Sequence, residues 1–165
     1  MKRVMYYFIG IKGSGMASLA TILFDLGYEV AGSDIDKYIF IEEDLRKRGI
    51  PIYSFDKNNI KDGYEVIIGN AFDDSNEEVK EALSNPNVKT HTYYDFLGHL
   101  MDQYISIGIA GTHGKTTTTG MAYHLFKEFD KTSVLIGDGT GHAVEDSKYF
   151  IAETCEYQDH FLHYY

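Results

Sequence analysis

Residues Gly111-Thr112-His113-Gly114-Lys115-Thr116-Thr117 have the makeup of a phosphate cradle, and they follow directly on the apolar run Tyr104–Ala110. In a strand–loop–helix of this kind backbone N–H groups converge on an anion, a lysine adds a point charge, and a hydroxyl reaches Mg²⁺. Lys115 is the expected partner of the β- and γ-phosphates of a nucleoside triphosphate, and Thr116 the expected Mg²⁺ ligand. The spacing departs from the strict Walker form, because Ile109 stands where the first glycine would be. A chance Gly-Lys-Thr in a surface loop is the alternative; the strand before it, the helix after it and the threonine run weigh against that. His113 is read equally as a loop-shaping residue or a substrate contact.

Glu153-Thr154-Cys155-Glu156 follows the strand-like Tyr149–Ala152. A carboxylate at the carboxyl end of a strand beside a phosphate loop can complete a Mg²⁺ site. Two solvated acids at a helix N-terminus are the alternative, and the neighbouring loop favours a ligand role for Glu153. Near the start, Gly10-Ile11-Lys12-Gly13-Ser14-Gly15 also ends a strand and opens a helix. That is the context of a dinucleotide fingerprint, although the spacing is not Gly-x-Gly-x-x-Gly. Small residues there let a phosphate approach backbone amides at a helix N-terminus. Ser33-Asp34, ending the second strand, falls where such folds hold a ribose or base. A tight turn without ligand is the competing reading, and the loop alone does not say which nucleotide binds. His142, His160 and His163 match no zinc spacing and are read as surface residues. Gly137–Gly141 is read as a flexible connection, or as a substrate-facing turn.

The elements that must position these groups alternate. Strand-like segments fall at Val4–Ile9, Tyr28–Ala31, Ile50–Tyr53, Glu65–Ile68 and, weakly, Val88–His91. Helical patterns fall between them: Met16, Leu19, Ala20, Leu23 and Leu26 before Gly27, then Glu42–Arg48, Asn76–Leu83 and Tyr93–Gln103. The pattern restarts at Tyr104 with a strand, the phosphate loop, a helix over 115–129, and strands at Ser133–Ile136 and Tyr149–Ala152. The fold class expected is α/β: a Rossmann-like parallel-sheet domain over 1–102, then an incomplete P-loop α/β domain over 103–165. Three strands and one helix do not cover a doubly wound sheet, so the second unit is expected to expose a sheet edge.

At 165 residues the chain can build one good core or two small ones, and 44% hydrophobic with 24% charged residues is ordinary for a globular protein. A net charge of −10 argues against a general nucleic-acid binder. The single Cys155 excludes an internal disulfide and fits a reducing, cytoplasmic setting. No run is long enough to span a bilayer, and Met1-Lys2-Arg3 opens no signal peptide of normal form. Oligomeric state is not legible.

Four segments together resemble the Mur ligase family. They are Tyr7–Met16 with Gly32-Ser33-Asp34, Ile68-Gly69-Asn70-Ala71-Phe72, Gly111–Thr117, and Leu135–Gly141 with Glu153–Phe161. The resemblance implies a peptidoglycan-precursor ligase using ATP and Mg²⁺, with UDP-N-acetylmuramate and L-alanine as its small-molecule partners. ATP would phosphorylate the muramate carboxylate and the amine would displace phosphate. By position, Gly111, Thr112, His113, Gly114, Lys115, Thr116 and Thr117 would hold ATP, with Lys115 and Glu153 catalytic and Thr116 and Glu153 ligating the metal. Gly10, Gly13, Ser14, Gly15, Met16, Ser33, Asp34 and Asn70 would meet the UDP-sugar. Cys155 departs from the acidic residue common in relatives. Family members are also longer, so the chain as given is expected not to ligate alone. The alternatives are a ligase that reattaches murein tripeptide to UDP-muramate and a non-catalytic UDP-sugar-binding module; an NAD-dependent oxidoreductase leaves the phosphate loop unexplained.

Overall fold

A computed structural model describes residues 4–154. Cys155, Glu156, His160 and His163 lie outside the described residues. The first half builds β1 (Met5–Ile9), α1 (Ser14–Asp25), β2 (Glu29–Ser33), α2 (Glu42–Lys47), β3 (Ile52–Tyr53), β4 (Glu65–Ile68), α3 (Glu77–Ser84), β5 (Lys89–Thr92) and α4 (Tyr93–Met101). Its five strands form one parallel sheet in the order β3-β2-β1-β4-β5. The chain moves outward from β1 through β2 to β3, then returns to the other side of β1 as β4. The carboxyl ends of β1 and β4 therefore flank a topological switch point, the place where such sheets bind ligands.

The second half builds β6 (Ile105–Ile109), α5 (Lys115–Phe126), β7 (Thr132–Leu135), β8 (Gly141–His142) and β9 (Tyr149–Glu153). Here the order is β6-β9-β7-β8, parallel except for β8, which closes a short antiparallel hairpin on β7. The parallel α/β reading of the sequence is met in both sheets. The short strand β8 was not among the expected elements; two residues are too few to carry an alternation.

Coverage of the second sheet differs from expectation. One face carries α5, and the other is filled by α1 of the first half. Every residue of α1 from Met16 to Leu23 is buried, as for a helix enclosed on all sides. Leu135, Ala143, Phe150 and Ala152 share a continuous core with Leu19, Ile22 and Leu23. Gly141 packs so closely on the Ser18 carbonyl that any Cβ there would overlap it. The outer face of α5 is open by contrast: Thr119 is its one buried residue, and Met121 and Leu125 are exposed. On the far side of the first sheet a second core joins Tyr7, Ile9, Val66, Val79 and Ala82. No helix among the described residues is long and apolar enough to cross a membrane.

Candidate functional site

The glycine turn after β1 is built by backbone bonds to the end of β2. Gly10 and Ile11 N–H donate to the Ser33 carbonyl at 2.9 and 3.1 Å, and Lys12 N–H donates to Asp34 Oδ2 at 2.7 Å. Gly10 has φ +87° and faces the Phe72 ring, which a Cβ would overlap. Gly13 then caps α1 without a side-chain hydrogen bond. The amides of Ser14, Gly15 and Met16 thus open the helix with no side chain at the cap to take them, the arrangement that receives an anion. A cavity of about 340 Å³ lies at this point, its lining including Gly10, Lys12, Gly13, Met16, Asp34, Ile39, Asn70 and Phe72. Five of the residues expected to meet the UDP-sugar therefore share one crevice at the switch point. A larger cavity of about 540 Å³ lies beyond Asn70 and Phe72, rimmed by Asp73, Asp74 and Asp95; it contains none of the glycine-turn amides.

Ser33 is placed differently from the rest. Its side chain is fully buried and donates to Glu78, a buried carboxylate that also accepts from Asn59 Nδ2 at 2.7 Å, Asp56 N–H at 3.1 Å and the Tyr7 hydroxyl at 3.1 Å. Burial, with Glu78 alongside, raises the Tyr7 phenol well above its ordinary range. Ser33 thus supports the crevice from beneath through its carbonyl and this network. Sequence reasoning missed Glu78, because an acid in the first turn of a helix reads as a surface dipole partner.

In the second half Gly114 caps α5, and the phosphate loop runs from β6 into that helix. Lys115 Nζ donates to the Gly111 carbonyl at 2.5 Å, while Thr112, His113 and Thr117 are exposed. Glu153 pairs in register with Ile109 on the neighbouring strand, so it emerges beside the loop. Its Oε2 accepts from Thr116 Oγ1 at 3.0 Å and from Gly137 N–H at 2.9 Å. Adjacent oxygens on an octahedral Mg²⁺ sit about 2.9 Å apart, so the Thr116–Glu153 separation fits a pair of such ligands. Among the described residues no cluster of three or more His, Cys, Asp or Glu could hold a metal. A site of one carboxylate and one hydroxyl is what Mg²⁺ takes when phosphate and water supply the remaining ligands.

The two places share a rim. Ser18, early in α1, donates through Oγ to the Ile136 carbonyl at 2.9 Å, just past the end of β7. Asp25 at the other end of α1 accepts from Ala143 N–H and faces His142 Nδ1, both at 3.1 Å, and pairs with Arg48 at 2.5 Å. The carboxyl ends of both sheets therefore lie at the N-terminal end of α1. The Gly137–Gly141 stretch is also a fastened turn: Ile136 N–H donates to the Thr140 carbonyl and Thr140 N–H to Asp138 Oδ1, each at 2.9 Å.

A family model described as "Mur ligase family, catalytic domain" matches residues 5–105. That span ends before the phosphate loop, whose likeness rests on solved structures. The UDP-N-acetylmuramate:L-alanyl-γ-D-glutamyl-meso-diaminopimelate ligase of Neisseria meningitides matches 98% of this chain at 28% identity, with a TM-score of 0.78. The UDP-N-acetylmuramate–alanine ligase MurC of Thermotoga maritima matches 90% at 27% identity and 0.77. A murein peptide ligase of Psychrobacter arcticus matches 98% at 26% and 0.76. The chain spans 58%, 36% and 41% of the lengths of those three proteins. With a family model matched over more than half of its length, the chain belongs to the Mur ligase family, whose members are ATP-dependent ligases of peptidoglycan-precursor synthesis.

Proposed function

We propose that this chain carries the UDP-sugar and ATP sites of a ligase joining L-alanine to UDP-N-acetylmuramate. Residues 1–102 would form the UDP-sugar domain and 103–165 the start of the ATP domain, the division falling where the chain changes sheets. The observation that carries the reading is the shared rim: Ser18 ties the α1 that opens at one anion cradle to the turn that holds Glu153 at the other. A carboxylate to be activated and the phosphate that activates it need such proximity.

Gly13, Ser14, Gly15 and Met16 present α1 amides to the diphosphate, and Asp34 and Asn70 flank the nucleoside and sugar. Lys115 and the loop amides hold the β- and γ-phosphates. The muramate carboxylate oxygen attacks the γ-phosphorus, the bond to the β–γ bridging oxygen breaks, and ADP leaves. The amine nitrogen then attacks the acyl carbon, the carbon–oxygen bond to phosphate breaks, and the nitrogen gives up a proton. Thr116 and Glu153 would hold Mg²⁺, which supplies charge neutralisation on the phosphates. Lys115 stabilises the same charge from the loop side.

The choice of L-alanine over murein tripeptide rests on the Gly13-Ser14-Gly15-Met16 turn and the Ile136-Gly137-Asp138-Gly139 stretch, since identities of 27% and 28% do not separate the two kinds of relative. Calorimetric titration tests the reading. Binding of both UDP-N-acetylmuramate and Mg·ATP is expected; uptake of the UDP-sugar without Mg·ATP would reduce the chain to a sugar-nucleotide module.

A further inference from the structure

Lys12 stands inside the glycine turn, where a lysine invites assignment to phosphate. Its contacts point elsewhere. The side chain is buried, and Nζ donates to the carbonyls of Ile35 at 2.9 Å and Lys37 at 3.0 Å while pairing with Glu42 at 2.6 Å. Two carbonyls take hydrogen bonds from the ammonium and the Glu42 carboxylate pairs its charge, so its polar partners all come from residues 35–42.

We propose that Lys12 is a positioning residue that pins the segment 35–41 as the nucleoside-side wall of the crevice. This inference rests on reading that crevice as the UDP-sugar site. The segment is otherwise held by Ser54 Oγ, which donates to Asp36 Oδ1 at 2.5 Å, by the Tyr38 hydroxyl on Glu43, and by Ile41 packed on the core at its exit. It contains no helix or strand, and Ile35, Tyr38 and Phe40 are 46%, 59% and 75% exposed, so the core does not anchor them. Yet Ile39 lines the same cavity as Gly13, Met16 and Asn70. Its entry is tied by Asp34, which accepts Lys12 N–H and Ile35 N–H at 2.7 and 2.8 Å. Its middle and exit are tied by the Lys12 ammonium, through two carbonyls and the first residue of α2. One residue thus joins the floor that receives the diphosphate to the wall beside the nucleoside. Ligand selection at that wall would follow from how firmly the clamp holds.

The test uses the full chain with Lys12→Met/Glu42→Gln, which removes both charges together and leaves no lone buried ion. Lys37 is exposed, and its carbonyl, the scissile one for trypsin, is an acceptor of the clamp. Cleavage after Lys37 is expected to run at least about tenfold faster in the double variant, as local opening controls cutting. The Kd for UDP is expected to rise about tenfold or more while that for Mg·ATP stays within about twofold, a split that a general loss of structure would not produce. Lys12→Arg, which keeps the charge and the donors, is expected to restore slow cleavage. Unchanged cleavage and unchanged UDP affinity in the double variant would overturn the proposal, as would equal loss of both nucleotides. If the unmodified chain binds no UDP, the UDP-sugar reading falls, and the rate of cleavage after Lys37 alone decides whether the clamp exists.

Discussion

The protein contains two strand-to-helix turns rich in glycine, each with a lysine, and it uses the two lysines in opposite ways. Lys12 is buried with a side chain 5% exposed and is consumed by internal oxygens. Lys115 opens α5 among exposed threonines and reaches back to the Gly111 carbonyl, at the mouth where a triphosphate would lie. The first turn is sealed by β2, Phe72 and the 35–41 segment; the second has Glu153 and Gly137 across from it among the described residues. A lysine in a glycine-rich turn is therefore not by its type a phosphate ligand. The acceptors that the rest of the fold places around it decide whether it serves the ligand or the scaffold.

This contrast can be broken by exchange of effects. The largest is expected from Lys12→Met, which leaves the buried Glu42 with only the half-exposed Arg46 as a charged partner and should cost about 3 kcal/mol in urea unfolding. Lys115→Met should change stability by less than about 0.5 kcal/mol yet weaken Mg·ATP binding about a hundredfold, or about 2.7 kcal/mol, by calorimetry. Equal stability losses in the two variants would erase the distinction. Next come the glycines. A Cβ at Gly10 meets both a positive φ and the Phe72 ring, so Gly10→Ala should cost about 1–3 kcal/mol. A Cβ at Gly137 would come within 2.7 Å of the Glu153 carboxylate, so Gly137→Ala should weaken Mg²⁺ affinity, by about tenfold, with little loss of UDP affinity.

The smallest expected effect is on pH dependence. The hydrogen bond and charge of Lys12 hold the Glu42 carboxyl below its ordinary value of 4.5, with Arg46 adding to the effect. A depressed carboxyl stabilises the fold above its unfolded value and loses that contribution as pH falls through the folded one. The stability gap between wild type and Glu42→Gln should therefore be full at neutral pH and close below pH 4.5. A gap that stays constant into acid would show that the clamp is not ionic.

The parallel strands and both glycine turns were legible because strand, turn and helix signals are local. Glu153 was legible too, from its place at the end of a strand. Three things were not. Met16, Leu19, Ala20, Leu23 and Leu26 read as one helical face, yet the helix is buried on both sides because the second sheet packs on it. The signal was present: no charged residue stands between Lys12 and Asp25. Lys12 received no role from the sequence, because its acceptors come from residues 35–42, which no local pattern brings to it. Ser33 was placed correctly at the end of β2, but the orientation of its side chain depends on Glu78, 45 residues away.

The central claim is that the two cradles open on one rim, so that a UDP-sugar and a metal–nucleotide held together lie side by side. Phosphorus NMR of the chain with UDP-N-acetylmuramate, ATP and Mn²⁺ in place of Mg²⁺ tests it directly. Broadening of the UDP phosphorus lines together with those of ATP, lost in Glu153→Gln, is the predicted result. Sharp UDP lines beside broadened ATP lines would contradict the shared rim.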